Sequence, residues 1–531
     1  MLEETSAPIV FDHLLDPFKP NLSTSHVNKQ TMFGVFTEEV SYILGKQNVA
    51  GHISIESEAI SWKPSSNTTI GFSIPYGVAF SVLFTPPGSN FKSLHNCHSY
   101  VDSPPSPQFT LFGYRNGNRK STPEYWSFSC ASVEEAELLV EKIRTFLQPP
   151  GARKGALRNL LLLLNPASGA KKAISIYQNI VKPMLEMAQV KHTLRQTERP
   201  LHAKEIAETY DYSEYDAVAT ISGDGLLHEF LNGVLSRTDW REATKTSIGI
   251  IPAGSGNALA KSVGTPTPEL AVANLIIGST RPLDIMVTKL ADDSIRYSFE
   301  MATWGYVADV DIESEKLRWA GPARLTIYAL LRLLNLRTYE GRIHYIPYDA
   351  PVEDIANLKD PENSSKFTHV EDISIPVEGK LAEPWITREC SFSQFFALNI
   401  PWISTDFLAC KHSRLNSGFI DLVWIEKVPS SKLLQLMIDS AEGSYIDEDF
   451  ANHIKARAII LEPIGRKSKS NPSNVRKGIL DIDGEVVLTG PIRIESLPGI
   501  CQVVAPSWLD EDENTMSRRK GTTESVSLPS K

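Results

Sequence analysis

Three apolar, strand-like runs end in the residue types that a phosphate group needs: Asn165, Pro166, Ala167, Ser168 and Gly169 after "LRNLLLLL", Ser222, Gly223, Asp224 and Gly225 after "DAVATI", and Gly254, Ser255 and Gly256 after "SIGIIPA". Glycine lets backbone N–H groups approach anionic oxygens, and a following helix adds its N-terminal donors. In an open parallel sheet such turns face one crevice beyond the carboxyl ends of the strands, so the three together predict a nucleotide site. Asp224 is an acid set between two glycines at the mouth of a buried strand, and its role has to be read from what else the chain carries. Taken alone, the same tetrapeptide is an ordinary turn. The Walker pattern and the protein-kinase H-R-D and D-F-G signatures are absent, and "GSGNAL" leaves the dinucleotide pattern at Leu259, so a different phosphoryl-transfer fold is required.

The elements that must position these turns follow from periodicity. From about residue 155 to 280, apolar strands alternate with helical stretches, the pattern of a doubly wound parallel sheet covered on both faces. From 281 to 508 β signals dominate, interrupted by the helical "ARLTIYALLRLLNL"; a polar stretch from about Tyr348 to Glu383 is expected to be a surface insertion. Residues 31–150 carry many short β-like runs closed by one helix, "SVEEAELLVEKIRTFL", with a capping box at Ser132 and Glu135 and an apolar face of Val133, Ala136, Val140, Ile143 and Leu147. That order resembles the pleckstrin-homology layout in organisation. Residues 1–30 are expected to be a loose start and 509–531 a disordered, solvated tail.

Composition bounds the function. A chain of 531 residues with a net charge of −10 suggests two or three domains and argues against a nucleic-acid partner. The five cysteines, Cys97, Cys130, Cys390, Cys410 and Cys501, are odd in number and show no C-x-x-C spacing, which fits a reducing cytosol. No signal-like start and no apolar run of membrane-spanning length occur, so a cytoplasmic protein recruited peripherally to membranes is expected. The loop "GRKSKSNPSNVRKG" at 465–478, with five cations and no acids, is a candidate contact for anionic membranes.

The ordered motifs "NPASG", "TERPLHA", "SGDGLLHEFLNG", "PAGSGNALA", "WGYVADVDIESEKLRWAGPAR", "LRTYEGRIHYIP" and "DGE" closely resemble the sphingosine kinases, within the diacylglycerol-kinase-like lipid kinases, from about Leu160 to Pro506. The resemblance implies an α/β nucleotide-binding domain followed by an antiparallel β-sandwich lipid-binding domain, with MgATP between them. It implies transfer of the γ-phosphoryl of ATP to the primary hydroxyl of sphingosine or a related sphingoid base. It places Asn165, Pro166, Ala167, Thr197, Glu198, Arg199, Glu229, Gly254, Ser255, Gly256, Arg318, Arg324, Asp483, Gly484 and Glu485 at the nucleotide. Ser222, Gly223, Asp224 and Gly225 fall by the reacting groups, with Asp224 catalytic, and Asp311 at the amino-alcohol head. For Asp309, Glu313 and Lys316 a salt-bridge or solvated role is the simpler reading, and Asp483-Gly484 is also a hairpin signal.

Rival readings are ceramide kinase, which shares the preceding pleckstrin-homology layout, diacylglycerol kinase, and a catalytically silent lipid-sensing adaptor. Asp311 discriminates among the enzymes, because a carboxylate suits a protonated amine better than a neutral glyceride or amide. Homodimerisation is left open by the sequence.

Overall fold

The computed structural model describes residues 36–44, 47–55, 59–65, 72–75, 79–85, 106–115, 122–147, 157, 159–188, 190–254, 256–320, 323–350, 381, 384–467, 475–506 and 509. The expected loose start, most of the polar insertion, the centre of the basic loop, the tail and Ser255 lie outside the described residues.

Seven strands, β1 (Phe36–Leu44), β2 (Gln47–Ile55), β3 (Ala59–Pro64), β4 (Phe72–Pro75), β5 (Ala79–Thr85), β6 (Gln108–Arg115) and β7 (Thr122–Ser129), form one antiparallel sheet in the order β4-β3-β2-β1-β7-β6-β5. Helix α1 (Val133–Leu147) closes it. Alternation within the strands buries Ile53, Ile55, Ile60, Trp62, Phe109, Leu111 and Phe128 against Ala136, Leu139, Val140 and Ile143 of α1. The capping box forms: Ser132 Oγ accepts the Glu135 N–H at 3.1 Å, and the Glu135 carboxylate accepts the Ala131 N–H at 2.8 Å.

The α/β part begins with β8 (Asn159–Leu164), α2 (Ser168–Ile176), which runs through a π-turn at Tyr177–Val181 into α3 (Lys182–Met187), β9 (Lys191–Gln196), α4 (His202–Thr209) and β10 (Ala217–Ser222). It continues with α5 (Asp224–Leu235), α6 (Trp240–Ala243), β11 (Ser247–Pro252), α7 (Ala258–Ser262) and α8 (Pro268–Ile277). Strands β9-β8-β10-β11 are parallel neighbours. The strands are apolar throughout because both faces are covered. Leu161 and Leu163 enter one core with α4, α5 and α7, whereas Leu160, Leu162 and Leu164 enter another with α2, α3 and α8.

The rest comprises β12 (Thr280–Lys289), β13 (Ile295–Ser298), β14 (Met301–Gly305), α9 (Tyr306–Ser314), α10 (Ala323–Leu334), β15 (Tyr339–Pro347), β16 (Ile386–Leu398), β17 (Ile420–Glu426), α11 (Ser430–Asp439) and β18 (Ala451–Pro463). Short β19 (Arg466–Lys467) and β20 (Val475–Arg476) pair with each other, and β21 (Leu480–Ile482), β22 (Glu485–Val487) and β23 (Ile492–Val504) follow. The long strands β16 and β18 each pair with β15 along one part and with β17 along another, so the antiparallel sheet bends back on itself around Trp304, Phe392, Phe395 and Ile459. Strand β23 pairs antiparallel with β12 and β18, and its Val503 pairs in parallel with Ile248 of β11. The α/β sheet is therefore completed by the C-terminal strand, which crosses the division that the sequence suggests near residue 280.

Candidate active site

The three glycine turns interlock at the ends of β8, β10 and β11. A Cβ on Gly254 would stand 2.4 Å from the Gly223 Cα, one on Gly223 would stand 2.5 Å from the Gly256 carbonyl oxygen, and one on Gly169, at φ +55°, would stand 1.9 Å from the Ala253 carbonyl oxygen. Glycine is required here so that three backbones can meet. Ser222 Oγ and Ser168 Oγ are 3.1 Å apart across two of the turns. The "TER" turn joins the same end of the sheet, because the Thr197 N–H donates to the Leu164 carbonyl at 2.8 Å. Asn165 shapes its own turn, its Oδ1 accepting the Ala167 N–H at 2.9 Å. In contrast, a Cβ on Gly225 or on Gly484 would meet no atom within 4 Å.

Asp224 opens α5 and is buried. Its Oδ2 accepts the Ala258 N–H at 2.7 Å and its Oδ1 the Leu259 N–H at 3.1 Å, which fixes the carboxylate plane and leaves one lone pair on each oxygen. Burial pushes its pKa up to about 6; the Ala258 and Leu259 hydrogen bonds hold it back, and the charge of Asp483 adds to the rise.

Asp483 occupies the two-residue turn between β21 and β22, where Ile482 faces Glu485, with φ +49° at Asp483 and φ +81° at Gly484. Both residues are left-handed, as a type I′ hairpin demands, so the turn reading of the sequence is realised. The Asp483 side chain is held within the protein. Oδ1 accepts the Glu300 and Met301 N–H groups at 3.2 and 2.9 Å, while Oδ2 accepts the Phe299 N–H at 3.1 Å and lies 3.0 Å from His228 Nδ1. All four acceptor positions are used, and His228 of α5 is thereby tied to the strand leading into β14. That link and the Asp224–α7 link are not visible in the sequence.

Gly305, at φ +113°, turns β14 sharply into α9. Asp309, fully buried on α9, accepts from Arg332 at 2.9 Å, Arg337 at 3.4 Å and the Tyr339 hydroxyl at 2.7 Å, and Glu313 accepts from Arg337 and Tyr328, which matches the salt-bridge reading. Asp311, half-buried on the same helix, is raised by burial and held back by Arg324. Arg324 itself pairs with Glu315. Glu300, which the sequence did not single out, is buried. Burial drives its pKa well above the usual carboxylate range, and the charges of Asp224, Asp483, Asp481 and Asp311 add to the rise. The charges of Asp224, Asp483, Asp481 and Asp311 thus all act on Glu300.

Other candidates stand apart. Arg199 donates to Glu205 at 2.5 Å with both side chains about half exposed, so at the surface it has a protein partner, and Glu198 is exposed. Glu229 is half-buried and raised by burial; with Glu485 it lines a cleft of about 790 Å3 between α5, β13 and β22, whose walls do not include the glycine turns. The backbone of Arg318 lies in the 3-10 turn Glu315–Ala320, and its side chain is outside the described residues, like Ser255.

Residues 159–288 match the diacylglycerol kinase catalytic domain family. Among curated proteins, the chain is 36% identical over 372 residues to sphingosine kinase 1 of Arabidopsis thaliana, covering 68% of this chain and 74% of that protein. It is 31% identical over 378 residues to sphingosine kinase 1 of Rattus norvegicus, covering 68% of this chain and 95% of that protein. Identity to sphingosine kinase 1 of Homo sapiens is 29% over 390 residues, with 68% and 97% covered.

Proposed function

Because this chain belongs to the sphingosine kinase family of diacylglycerol-kinase-like lipid kinases, we propose that Asp224 is the carboxylate at which ATP and the primary hydroxyl of a sphingoid base meet. The protein is an ATP-dependent lipid kinase that phosphorylates sphingosine; the ceramide, diacylglycerol and silent-adaptor readings are not favoured by relatives that are sphingosine kinases.

One observation carries the assignment of Asp224: a buried carboxylate, oriented by two backbone N–H groups and lifted to about 6, stands at the junction of three glycine turns. At neutral pH it is ionised yet more basic than a solvent-exposed aspartate, the balance a general base needs. The hydroxyl proton passes to a free lone pair of Asp224 as the new O–P bond forms and the bond from the γ-phosphorus to the bridging oxygen breaks, releasing ADP, and the glycine backbones, lacking Cβ atoms, let the phosphates come close. The two free lone pairs beside the open space at Gly225 also fit a hydrated Mg2+, which when bound neutralises phosphate oxygens. Asp311 takes the amine, and the backbones at Gly254 and Gly484 face the nucleotide.

Among the described residues no helix is long and apolar enough to cross a membrane. Peripheral contact is supported by Trp319, Leu330, Leu331 and Leu334, which are exposed on and beside α10. The seven-stranded sheet capped by α1 supports a pleckstrin-homology-like module ahead of the kinase.

The test is turnover of radiolabelled ATP with sphingosine. Asp224→Asn should bind ATP and fold normally while losing ~10²-fold or more in kcat, and kcat of the parent enzyme should rise as pH passes about 6 and Asp224 ionises. A near-normal kcat in the folded variant refutes the assignment.

A further inference from the structure

Asp481 is a carboxylate without a counter-charge. It is fully buried in β21, and no side chain donates a hydrogen bond to either of its oxygens. Its neighbours in the sheet have partners of their own: Thr303, directly across on β14, donates to the Phe395 carbonyl at 3.2 Å and accepts from Gln394 at 2.8 Å, and Gln394 holds the Val307 N–H at the start of α9. Strand alternation fixes where Asp481 points. Leu480, Ile482, Ala302 and Trp304 enter the core inside the folded antiparallel sheet, so Asp481 and Thr303 lie on the opposite face. That face carries Met301, Phe396, Tyr306 and Val310, the last two from α9, the helix of Asp311.

Burial raises the Asp481 carboxyl well above its ordinary range, and the strongest charge adding to the rise is that of Asp311, followed by Asp483; the Gly484 N–H opposes it. An isolated buried carboxylate is costly unless a cation or donor reaches it. A buried acid on the face that carries this apolar cluster, within electrostatic reach of Asp311 on α9, fits an amphiphile with one charged head and a hydrocarbon body. A hydrated divalent ion, which keeps several waters, fits an apolar wall poorly.

We infer that Asp481 is a second recognition residue for the sphingoid base and, with Asp311, seats its protonated amine between β21 and α9. This rests on the reading of the chain as a sphingosine kinase. The amine supplies a positive charge to Asp481, which has none of its own, and it fixes the head group so that the neighbouring primary hydroxyl is directed to Asp224. Amine selection is thus divided between a residue on the helix and one on the strand.

The experiment uses the full chain and compares it with Asp481→Asn and Asp481→Ala. Steady-state kinetics with sphingosine is run with hexadecylamine or 1-hexadecanol as competitor, and melting temperature is recorded. In Asp481→Asn the KM for sphingosine should rise about tenfold or more, and inhibition by hexadecylamine should weaken by a similar factor. Inhibition by 1-hexadecanol and the KM for ATP should hold, and the melting temperature should not fall. Equal weakening for amine and alcohol, or no change for either, overturns the inference, as does a loss restored by raising Mg2+, which would assign the charge to the metal. Should the parent chain fail to phosphorylate sphingosine, the kinase reading fails instead. A thermal shift by hexadecylamine but not by 1-hexadecanol, lost in both variants, still decides on the seat.

Discussion

Single residues at this site divide into those that hold backbones together and those that leave room. Gly169, Gly223 and Gly254 form a junction in which an added methyl group meets main chain, whereas the space beside Gly225, the next residue after Asp224, is open. Backbone cannot yield as a side-chain tip can, so Gly254→Ala should destabilise the α/β part by ~1–3 kcal/mol, the usual cost of overpacking. Gly225→Ala should melt within a degree or two of the parent, because residue 225 already lies in a helix and alanine is the better helix former. If the open space receives phosphates, the same substitution should raise the KM for ATP severalfold. Thermal melts and ATP titrations of the two variants check the contrast: a destabilised Gly225→Ala, or one with unchanged ATP affinity, would mean that the space belongs to something else. The saturated Asp483 carboxylate makes a complementary point. A motif acid is conspicuous in sequence, yet here its four acceptor positions are taken up in holding Phe299, Glu300, Met301 and His228.

At the scale of elements, α10 is anomalous. It buries Ala329, Arg332 and Leu333 yet exposes Leu330, Leu331 and Leu334, the last at 87%, with Trp319 at 82% just before it. Such a helix edge has too much apolar area for a solvated surface and suits the boundary of a lipid layer. Leu330→Glu together with Leu334→Glu should weaken vesicle sedimentation at least ~tenfold, since each leucine that enters an apolar phase is worth more than 1 kcal/mol. Turnover on micelle-dispersed sphingosine should stay near normal; unchanged sedimentation would shift recruitment to the N-terminal module or the basic loop. The other elements were legible in proportion to how locally they are specified. The leucine and isoleucine runs of β8, β10 and β11 declare buried parallel strands, and their glycine turns declare the crevice. The return of β23 to β11 is not legible, because a pairing of Ile248 with Val503 spans the chain and leaves no local pattern. Asp481 is not legible either, because "LDIDGE" shows two acids separated by one residue, one destined for a turn and one for a buried strand, and only the sheet register tells them apart. Asp309 and Glu313 were anticipated as ion-pair residues, although Arg332 and Arg337, their partners, come from the end of α10 and the loop beyond it.

For the molecule as a whole, the acids around the site tie stability to pH. Glu300 joins the two halves electrostatically: it follows β13, its backbone is held by Asp483, and its carboxyl feels Asp224 on one side and Asp481 and Asp311 on the other. With its folded pKa raised, the folded chain keeps this proton where the unfolded chain has released it. The stabilising contribution of the protonated group is complete below the ordinary glutamate value and fades as pH climbs through the raised one. Glu300→Gln removes that dependence while keeping shape, so it should leave stability nearly unchanged at pH 4 and increase it at pH 8, on the order of 1 kcal/mol or more. Urea titrations of parent and variant at the two pH values measure the difference directly. The increase should shrink when hexadecylamine is present, because a cation bound among the carboxylates stabilises the parent's charged cluster, which the variant lacks in part. A variant equally stable to the parent at both pH values would mean that Glu300 is charged and compensated in the fold, and that the acids do not act as one group.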